Sequence, residues 1–331
     1  MLGPLLFLIY VADIDEELKS ARASSFADDT RMVAKVSNDE DRENLQSDLN
    51  SIYRWAENNN MTFNSSKFNL MRYGQSSTQQ AGYISPENDS IEAVSYLRDL
   101  GITMSNTGMF DQHLADCCEK GNQMSGWITR TFSTRESGPM MTLFKAMVRP
   151  IIEYCCQIWC PKKQYQINMI ESIQRHFTSK IYKLDGLPYI QRLGYLKIYS
   201  LERRREGYII IYTWKIIEGL APNLLGNDPI ELVEYSQRRG RFCRVPSLNT
   251  RATAHMRTLK ENSFSVNGPR LFNMMPRGLR DHVTSLCSFK RKLDNFLATV
   301  VDDPMVVGGN SLLVQVPLER ARCVRAEPSL I

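Results

Sequence analysis

The sequence lacks any long uncharged apolar run, and it is poor in histidine. None of its apolar stretches reaches the roughly 18–20 residues that cross a bilayer, which argues against an integral membrane protein. Four histidines stand among 331 residues, and no cysteine pair has the C-x-x-C spacing of a zinc knuckle. The eight cysteines follow no disulfide framework. We therefore expect reduced thiols and an intracellular protein, nuclear or cytoplasmic.

The composition is that of a globular chain. Hydrophobic residues make up 43% and charged residues 23%, far from the disordered or collagen-like classes. A length of 331 residues predicts two or three folded units.

Charge is divided unevenly along the chain. Residues 1–120 carry 10 basic and 19 acidic side chains, whereas residues 121–331 carry 31 basic and 17 acidic ones. The basic part favours a polyanionic partner such as a nucleic acid. The alternative is that basic side chains merely solvate helix faces.

The first twelve residues are apolar. They do not fit a signal peptide, because they have no positively charged start and run directly into acidic residues. The segment instead predicts a buried helix with Pro4 near its first turn.

Two adjacent carboxylates interrupt the next apolar pattern. Residues 23–36 read as two short strands on either side of a turn formed by Asp28 and Asp29. Carboxylates held together in this way suit hard divalent cations, and two Mg²⁺ ions can promote phosphoryl transfer. The alternative is a solvated turn, because aspartate is common in turns.

A series of motifs extends this pattern. Phe26-Ala27-Asp28-Asp29, preceded by the Gly3–Phe7 segment, resembles the palm of reverse transcriptases from non-LTR retrotransposons, with jockey-like lineages nearest. Further segments resemble later motifs of that family in the same order: Trp55 with Asn60–Lys67, Tyr96–Gly101, Leu143–Tyr154 with Trp159–Pro161, Leu271–Pro276 and Ser288–Leu297. The resemblance covers approximately residues 2–300.

The resemblance implies an α+β fold. A partial polymerase palm, an antiparallel β-hairpin sheet with helices, would occupy residues 1–110. A helical thumb would follow over 111–185 and a basic, mainly helical region over 186–300. Residues 301–331, with Gly308-Gly309 and scattered arginines, are expected to form a disordered tail.

The same resemblance implies roles for three residues of a catalytic site. Asp28 would bind metal directly, and Asp29 would assist in placing the metal or the primer end. Lys67 would lie near the incoming triphosphate, although an ordinary exposed lysine is the alternative. The cofactor would be Mg²⁺, two ions in an intact enzyme. The partners would be an RNA template, a DNA primer and deoxynucleoside triphosphates, with no membrane.

Other parts of such an enzyme are expected to lie before Met1. These are an aspartate from an earlier palm strand, the fingers and the endonuclease. We therefore expect the chain to be inactive alone, with Asp13 and Asp15 either compensating or serving as solvated helix-end acids. The competing hypothesis is a non-catalytic or domesticated nucleic-acid-binding remnant. A weaker one is a gene model that yields no stable protein.

Basic residues along the second half are the candidates for contacts with nucleic acid. They accompany an apolar stripe from Ile167 to Ile181, follow the predicted N-cap Ser200, or lie in the dense stretch around Phe242. The candidates are Arg175, Lys180, Lys183, Arg203, Arg204, Arg205, Arg238, Arg239, Arg241 and Arg244. Solvated arginines remain the alternative.

Overall fold

A computed structural model describes residues 2–74, 82–223, 228–234, 240–247, 252–281, 285–304 and 310–315. The chain divides into two units after Met109. Both are mixed in secondary structure, with helices and two-stranded antiparallel sheets, which is consistent with the α+β class. No helix among these residues has the length and apolarity to span a membrane.

The first unit is built from short hairpins and two helices. Its elements are α1 (Leu2–Tyr10), β1 (Arg22–Phe26), β2 (Asp29–Val33), α2 (Asp39–Asn58), β3 (Tyr83–Ile84), β4 (Ser90–Ile91), β5 (Tyr96–Asp99) and β6 (Ile102–Ser105). The pairs β1–β2, β3–β4 and β5–β6 are each antiparallel. A 3₁₀ turn covers Ser65–Lys67.

Helix α1 forms as the sequence predicts, but it is not buried. None of its residues is buried, and Leu2 and Ile9 are about two-thirds exposed, at 65% and 66%. Among the described residues, its side-chain hydrogen bond and its ring contact both involve Tyr10 at the C-terminal end: the Tyr10 hydroxyl donates to the Asn59 carbonyl, and the Tyr10 ring meets the Trp55 ring edge-on.

Helix α2 begins where its sequence places a cap. The Asn38 side chain accepts a hydrogen bond from the Asp41 backbone N–H at 2.7 Å, and the first turn is acidic, which suits the helix dipole. Its apolar face is buried at Ile52 and Ala56 and only partly buried at Leu45 and Leu49. The helix therefore presents a polar outer face and a narrow packed one.

The second unit is mainly helical. Its helices are α3 (Asp111–Thr131), α4 (Ser137–Leu143), α5 (Arg149–Glu153), α6 (Cys156–Trp159), α7 (Gln164–Thr178), α8 (Tyr189–Leu196), α9 (Leu201–Ile217), α10 (Ala254–Asn262), α11 (Phe264–Met274), α12 (Arg277–Asp281), α13 (Leu286–Thr299) and α14 (Leu312–Gln315). Strands β7 (Leu232–Glu234) and β8 (Arg241–Cys243) pair antiparallel.

The predicted apolar stripe of α7 is core. All five of its members are buried: Ile167, Ile170, Ile173, Phe177 and Ile181. A second core gathers around α9, where Trp214 stacks on Phe289 with ring centres 4.7 Å apart. These two clusters give the second unit a far larger apolar interior than the first.

Helix α9 begins at the predicted N-cap. The Ser200 hydroxyl accepts from the Arg203 backbone N–H at 3.1 Å, and Gly219, one residue past the C-cap, takes the left-handed conformation with φ of 69°.

A π-helical turn over Phe144–Val148 joins α4 to α5, just before Pro150. Proline has no N–H to continue the α-helical ladder, and a π turn is one way in which helices absorb such a break.

The predicted disordered tail is folded in part. Leu312 is buried, and its backbone N–H donates to both carboxylate oxygens of Glu206 on α9, at 3.1 and 3.0 Å. Asp302 accepts from the Ser200 backbone and hydroxyl at 2.7 and 2.6 Å. Residues 302 and 310–315 are thus held by α9 contacts about a hundred positions away in sequence, which local composition does not reveal.

Candidate functional site

The two carboxylates lie at the tip of the β1–β2 hairpin. The register runs from Arg22 opposite Val33 to Phe26 opposite Asp29, which leaves Ala27 and Asp28 as the two turn residues. The predicted Asp-Asp turn is therefore shifted by one position: Asp28 lies in the turn, and Asp29 opens β2. Ala27 has φ of 54°, a left-handed conformation that costs a non-glycine residue free energy.

The tip presents both carboxylates to solvent. Asp28 and Asp29 are exposed, and Phe26 beside them is 65% exposed. Among the described residues, neither carboxylate makes a side-chain hydrogen bond or ion pair. Both are therefore free to meet a cation or a ligand.

The two carboxylates do not complete a metal site. Within the described ranges, no group of three or more histidine, cysteine, aspartate or glutamate side chains could hold a metal ion. Mg²⁺ prefers octahedral coordination by oxygen, so two carboxylates need further ligands from water, substrate or another carboxylate. The donor type fits the ion, but two carboxylates alone supply too few oxygen donors to complete its coordination.

A buried aspartate of α2 holds the base of this hairpin. Asp48 is 2% exposed and accepts from the backbone N–H groups of Lys19, Ser20 and Ala21 at 3.0, 2.8 and 2.7 Å. The Ser20 hydroxyl adds a fourth bond at 2.6 Å. These donors immediately precede β1, so Asp48 fixes the point from which the hairpin projects.

The pKa of Asp48 reflects the same contacts. Burial by itself raises the pKa, but the Ser20 hydroxyl and the three backbone N–H groups lower it, and the net result is below the ordinary value. The folded hairpin base therefore favours the ionised carboxylate. On β2, Arg31 pairs with Asp99 of β5 at 2.9 Å, a contact between largely accessible side chains.

Lys67 stands in the 3₁₀ turn and is exposed. Among the described residues, no side-chain hydrogen bond or ion pair connects it with Asp28 or Asp29. Asp13, one of the two acids considered as compensation, instead accepts from the Trp55 indole N–H at 3.0 Å. Asp13 therefore ties the segment after α1 to α2.

Three of the predicted basic residues cluster at the C-terminal end of α7. Arg175 lies in the last turn and is half-buried, and Lys180 and Lys183 follow it and are exposed. Lys183 lies over the ring of Tyr182, 5.2 Å from its centre, and that ring is 61% exposed. Exposed cations beside an exposed aromatic ring are suited to a nucleic-acid strand. We call residues 175–183 the basic segment.

The arginine triplet of α9 corrects the sequence prediction. Arg203 and Arg205 are 0% and 1% exposed, so they cannot grip phosphates in this structure. Arg203 donates to the Val301 and Asn310 carbonyls, both at 2.9 Å, whereas Arg205 has all three side-chain nitrogens buried without a partner among the described residues. The buried residues of α9 are spread around the helix instead of lining one face, so the sequence pattern did not indicate which way the arginines point.

The remaining predicted cations either form ion pairs or lie outside the described residues. Arg241 pairs with Glu218 at 2.5 Å, and Arg244, 68% exposed, pairs with Glu231 at 3.0 Å. Arg238 and Arg239 lie outside the described residues.

A cationic cavity was missed at the sequence level. It measures about 410 Å³ and is lined, among others, by Lys145, Arg149, Glu153, Tyr154, Arg204 and Tyr208. Arg204 lies there in a bidentate pair with Glu153, at 2.6 and 2.8 Å. The signal available in the sequence was a pair of cations, Lys145 and Arg149, four residues apart in the mainly apolar segment Leu143–Tyr154.

A glutamate of α7 lies buried where α7, α8 and α9 meet. Glu171 accepts from the Tyr189 hydroxyl at 2.5 Å and from the Leu201 backbone N–H at 2.9 Å. Burial raises its pKa to about 7, and these two hydrogen bonds offset only part of that rise. Near neutral pH this carboxyl therefore exists in both protonation states.

Comparison with known proteins gives one relationship. Over 206 residues the chain is 23% identical to the RNA-directed DNA polymerase from the mobile element jockey of Drosophila melanogaster. The similarity supports a reverse-transcriptase-like relationship. The match covers 58% of this chain and 22% of that polymerase, so the chain spans about a fifth of the length of the curated relative it matches. No family model and no solved structure matches.

Proposed function

We propose that the chain is a C-terminal part of an RNA-directed DNA polymerase of a non-LTR retrotransposon. In this proposal the first unit is part of the palm, residues 111–185 are the thumb, and residues 186–300 form the basic region that follows. The observation that carries the proposal is the exposed, unpaired Asp28–Asp29 pair at the tip of an antiparallel hairpin, in a chain similar to such a polymerase.

In an intact polymerase the hairpin would contribute two carboxylates to a magnesium site. The reaction is attack of a primer 3′-hydroxyl on the α-phosphate of a deoxynucleotide, with release of pyrophosphate. When bound, two Mg²⁺ ions would activate the hydroxyl and stabilise the leaving oxygen. Lys67 would lie near the incoming triphosphate, where its positive charge would neutralise developing negative charge. The described residues bring no third metal ligand to the tip, so the remaining ligands must come from elsewhere.

The proposed partners are an RNA template and a DNA primer, which would contact the second unit. The basic segment supplies exposed cations and an exposed aromatic ring for this purpose. Such an enzyme would act in the nucleus or cytoplasm.

Primer extension tests the catalytic part of the proposal. The full chain is incubated with an RNA template, a labelled DNA primer, deoxynucleotides and MgCl₂, and Asp28→Asn is compared with Glu57→Gln, a change of an exposed acid of the same unit. The proposal expects any extension to be lost in Asp28→Asn and kept in Glu57→Gln. Primer extension that persists in Asp28→Asn would show that Asp28 is not the metal ligand of the reaction.

A second candidate function is nucleic-acid binding without catalysis. It is favoured by the same incomplete set of metal ligands. Binding is measured by fluorescence anisotropy with a labelled RNA–DNA hybrid. We expect the double change Lys180→Gln and Lys183→Gln to weaken binding and flatten its salt dependence, with Lys120→Gln on α3 as the control. Binding without extension selects this second function, and no binding at modest salt refutes both.

A further inference from the structure

The cationic cavity of the second unit holds a buried guanidinium, Arg149, that forms no ion pair among the described residues. Arg149 is 8% exposed, and its Nε atom is enclosed without a hydrogen-bond partner. Among the described residues its guanidinium has no ion pair and no hydrogen bond, and it lies over the Phe144 ring, 5.9 Å from the ring centre. A buried cation of this kind is costly unless a ligand pairs with it.

The surroundings of Arg149 favour an anion. Lys145, Arg149 and Arg204 line the cavity with a single carboxylate, Glu153, so the lining has a formal charge of +2. Glu153 is already bonded to Arg204 in a bidentate pair and to the Tyr208 hydroxyl at 3.1 Å. Burial and the nearby Arg204 both lower the pKa of Arg149, and Glu153 offsets this only in part. A bound anion would remove that cost.

The shape and the aromatic lining narrow the choice of anion. A volume of about 410 Å³ falls within the ~300–1,000 Å³ of small-molecule sites. Tyr154, which also lines the cavity, is 52% exposed. A guanidinium suits the oxygens of a phosphate, and an exposed aromatic ring suits the face of a base.

We propose that this cavity binds one nucleotide of a single-stranded nucleic acid, with the phosphate at Arg149 and Lys145 and the base against Tyr154. The inference rests on the proposed function, because it assigns a strand-binding site to the same polymerase. The proposal also accounts for the burial of Arg149, which forms no ion pair among the described residues: a bound strand would supply a phosphate to pair with it.

The test uses the full chain and fluorescein-labelled 12-nucleotide RNA and DNA strands, with affinity measured by anisotropy over a salt series. Lys145→Gln is expected to weaken binding three- to tenfold and to reduce the slope of log K against log salt by about 0.7, one phosphate contact to a single strand. Tyr154→Ala is expected to weaken binding at least fivefold. Lys120→Gln, another exposed helical lysine, is the matched control and is expected to leave both quantities unchanged.

Arg149→Met separates a binding role from a structural one. We expect at least tenfold weaker strand binding together with an unchanged or higher thermal midpoint of the free protein, because the substitution removes an unpaired buried charge. A lower midpoint with unchanged affinity would assign Arg149 to packing and overturn the inference.

Competition identifies the ligand class. Unlabelled oligonucleotide is expected to displace the labelled strand. Displacement by inorganic phosphate at equal phosphate concentration would indicate a free-anion site, and equal displacement by polyglutamate would indicate an acidic peptide; either result overturns the nucleotide assignment. If the wild type binds the strands and the Lys180/Lys183 variant weakens that binding, but Lys145, Arg149 and Tyr154 variants do not, only the cavity assignment fails. If the wild type binds no strand, the proposed function fails with it.

Discussion

Asp48 in the first unit and Glu171 in the second are both buried and both accept a backbone N–H hydrogen bond, yet their pKa values shift in opposite directions. Asp48 in the first unit accepts four hydrogen bonds, three of them from backbone N–H groups, and its pKa is lowered. Glu171 in the second unit accepts two, in a fully enclosed position, and its pKa rises to about 7. The balance between the number of donors and the depth of burial decides the sign.

As a consequence, the contributions of these two carboxylates to stability respond to pH in opposite directions. Asp48 stabilises the first unit above its unfolded pKa, and that stability is lost as pH falls through the lower, folded value. For Glu171 the stability is fully present below about pH 4.5 and is lost as pH rises through about 7. Acidic pH therefore destabilises the base of the hairpin, and neutral pH destabilises the junction of α7, α8 and α9.

The largest expected effect is at Asp48. Asp48→Ala removes the acceptor for four donors at the base of the hairpin, and buried donors left unpaired cost about 1–3 kcal/mol each when water cannot replace the partner. We expect the first unit to lose about 3 kcal/mol or more. Hydrogen exchange of the amides of residues 19–33 in the full chain measures this.

Glu57→Gln, a change of an exposed acid on the same helix, is the control and should leave exchange unaltered. Equal protection in Asp48→Ala and the wild type would show that the hairpin is anchored by other contacts.

The next effect is the pH dependence that Glu171 gives the second unit. The free energy of unfolding of this unit should fall by about 2–4 kcal/mol between pH 4.5 and pH 7. Glu171→Gln keeps a polar acceptor for Tyr189 but cannot ionise, so the decline should flatten. Urea unfolding at several pH values, with Glu119→Gln as the exposed control, measures the difference. An unchanged slope in Glu171→Gln would mean that another group titrates.

Two buried arginines of α9 allow a second comparison within the second unit, between a guanidinium that donates hydrogen bonds and one that donates none among the described residues. Arg203→Met loses hydrogen bonds to the Val301 and Asn310 carbonyls and to Gln315 Oε1 at 3.0 Å, and should cost about 2 kcal/mol. Arg205→Met removes a buried guanidinium that has no hydrogen-bond partner among the described residues, and should raise the free energy of unfolding by about 1 kcal/mol.

Unfolding of both variants at pH 5, where Glu171 is largely protonated, isolates the arginines from its titration. Equal destabilisation of the two would show that Arg205 has a stabilising partner in solution.

The smallest effect is expected at the surface of the first unit. Arg31→Gln breaks the ion pair with Asp99. The two side chains are 45% and 19% exposed, so the free energy of unfolding of the first unit should fall by no more than about 0.5 kcal/mol. The same exchange measurement on residues 19–33 reports it. A loss as large as that of Asp48→Ala would show that the contact with β5, and not the contacts with α2, anchors the hairpin.

Several features follow from local rules that can be applied to the sequence alone. Two short strand-like segments on either side of two aspartates predicted the hairpin, the apolar stripe from Ile167 to Ile181 predicted the buried face of α7, and Ser200 predicted the start of α9. Each depends on residues only a few positions apart, so no distant contact was needed to fix it.

The division of the cations between surface and core, by contrast, depends on tertiary contacts. Arg203 is buried against Val301 and Asn310, whose carbonyls accept its hydrogen bonds, and Arg149 lines a cavity that Arg204 of α9 also lines. The exposure of α1 was likewise decided by the absence, among the described residues, of a partner along its length. Contacts across fifty to a hundred residues set burial, and burial sets whether a charge is solvated, paired or left for a ligand.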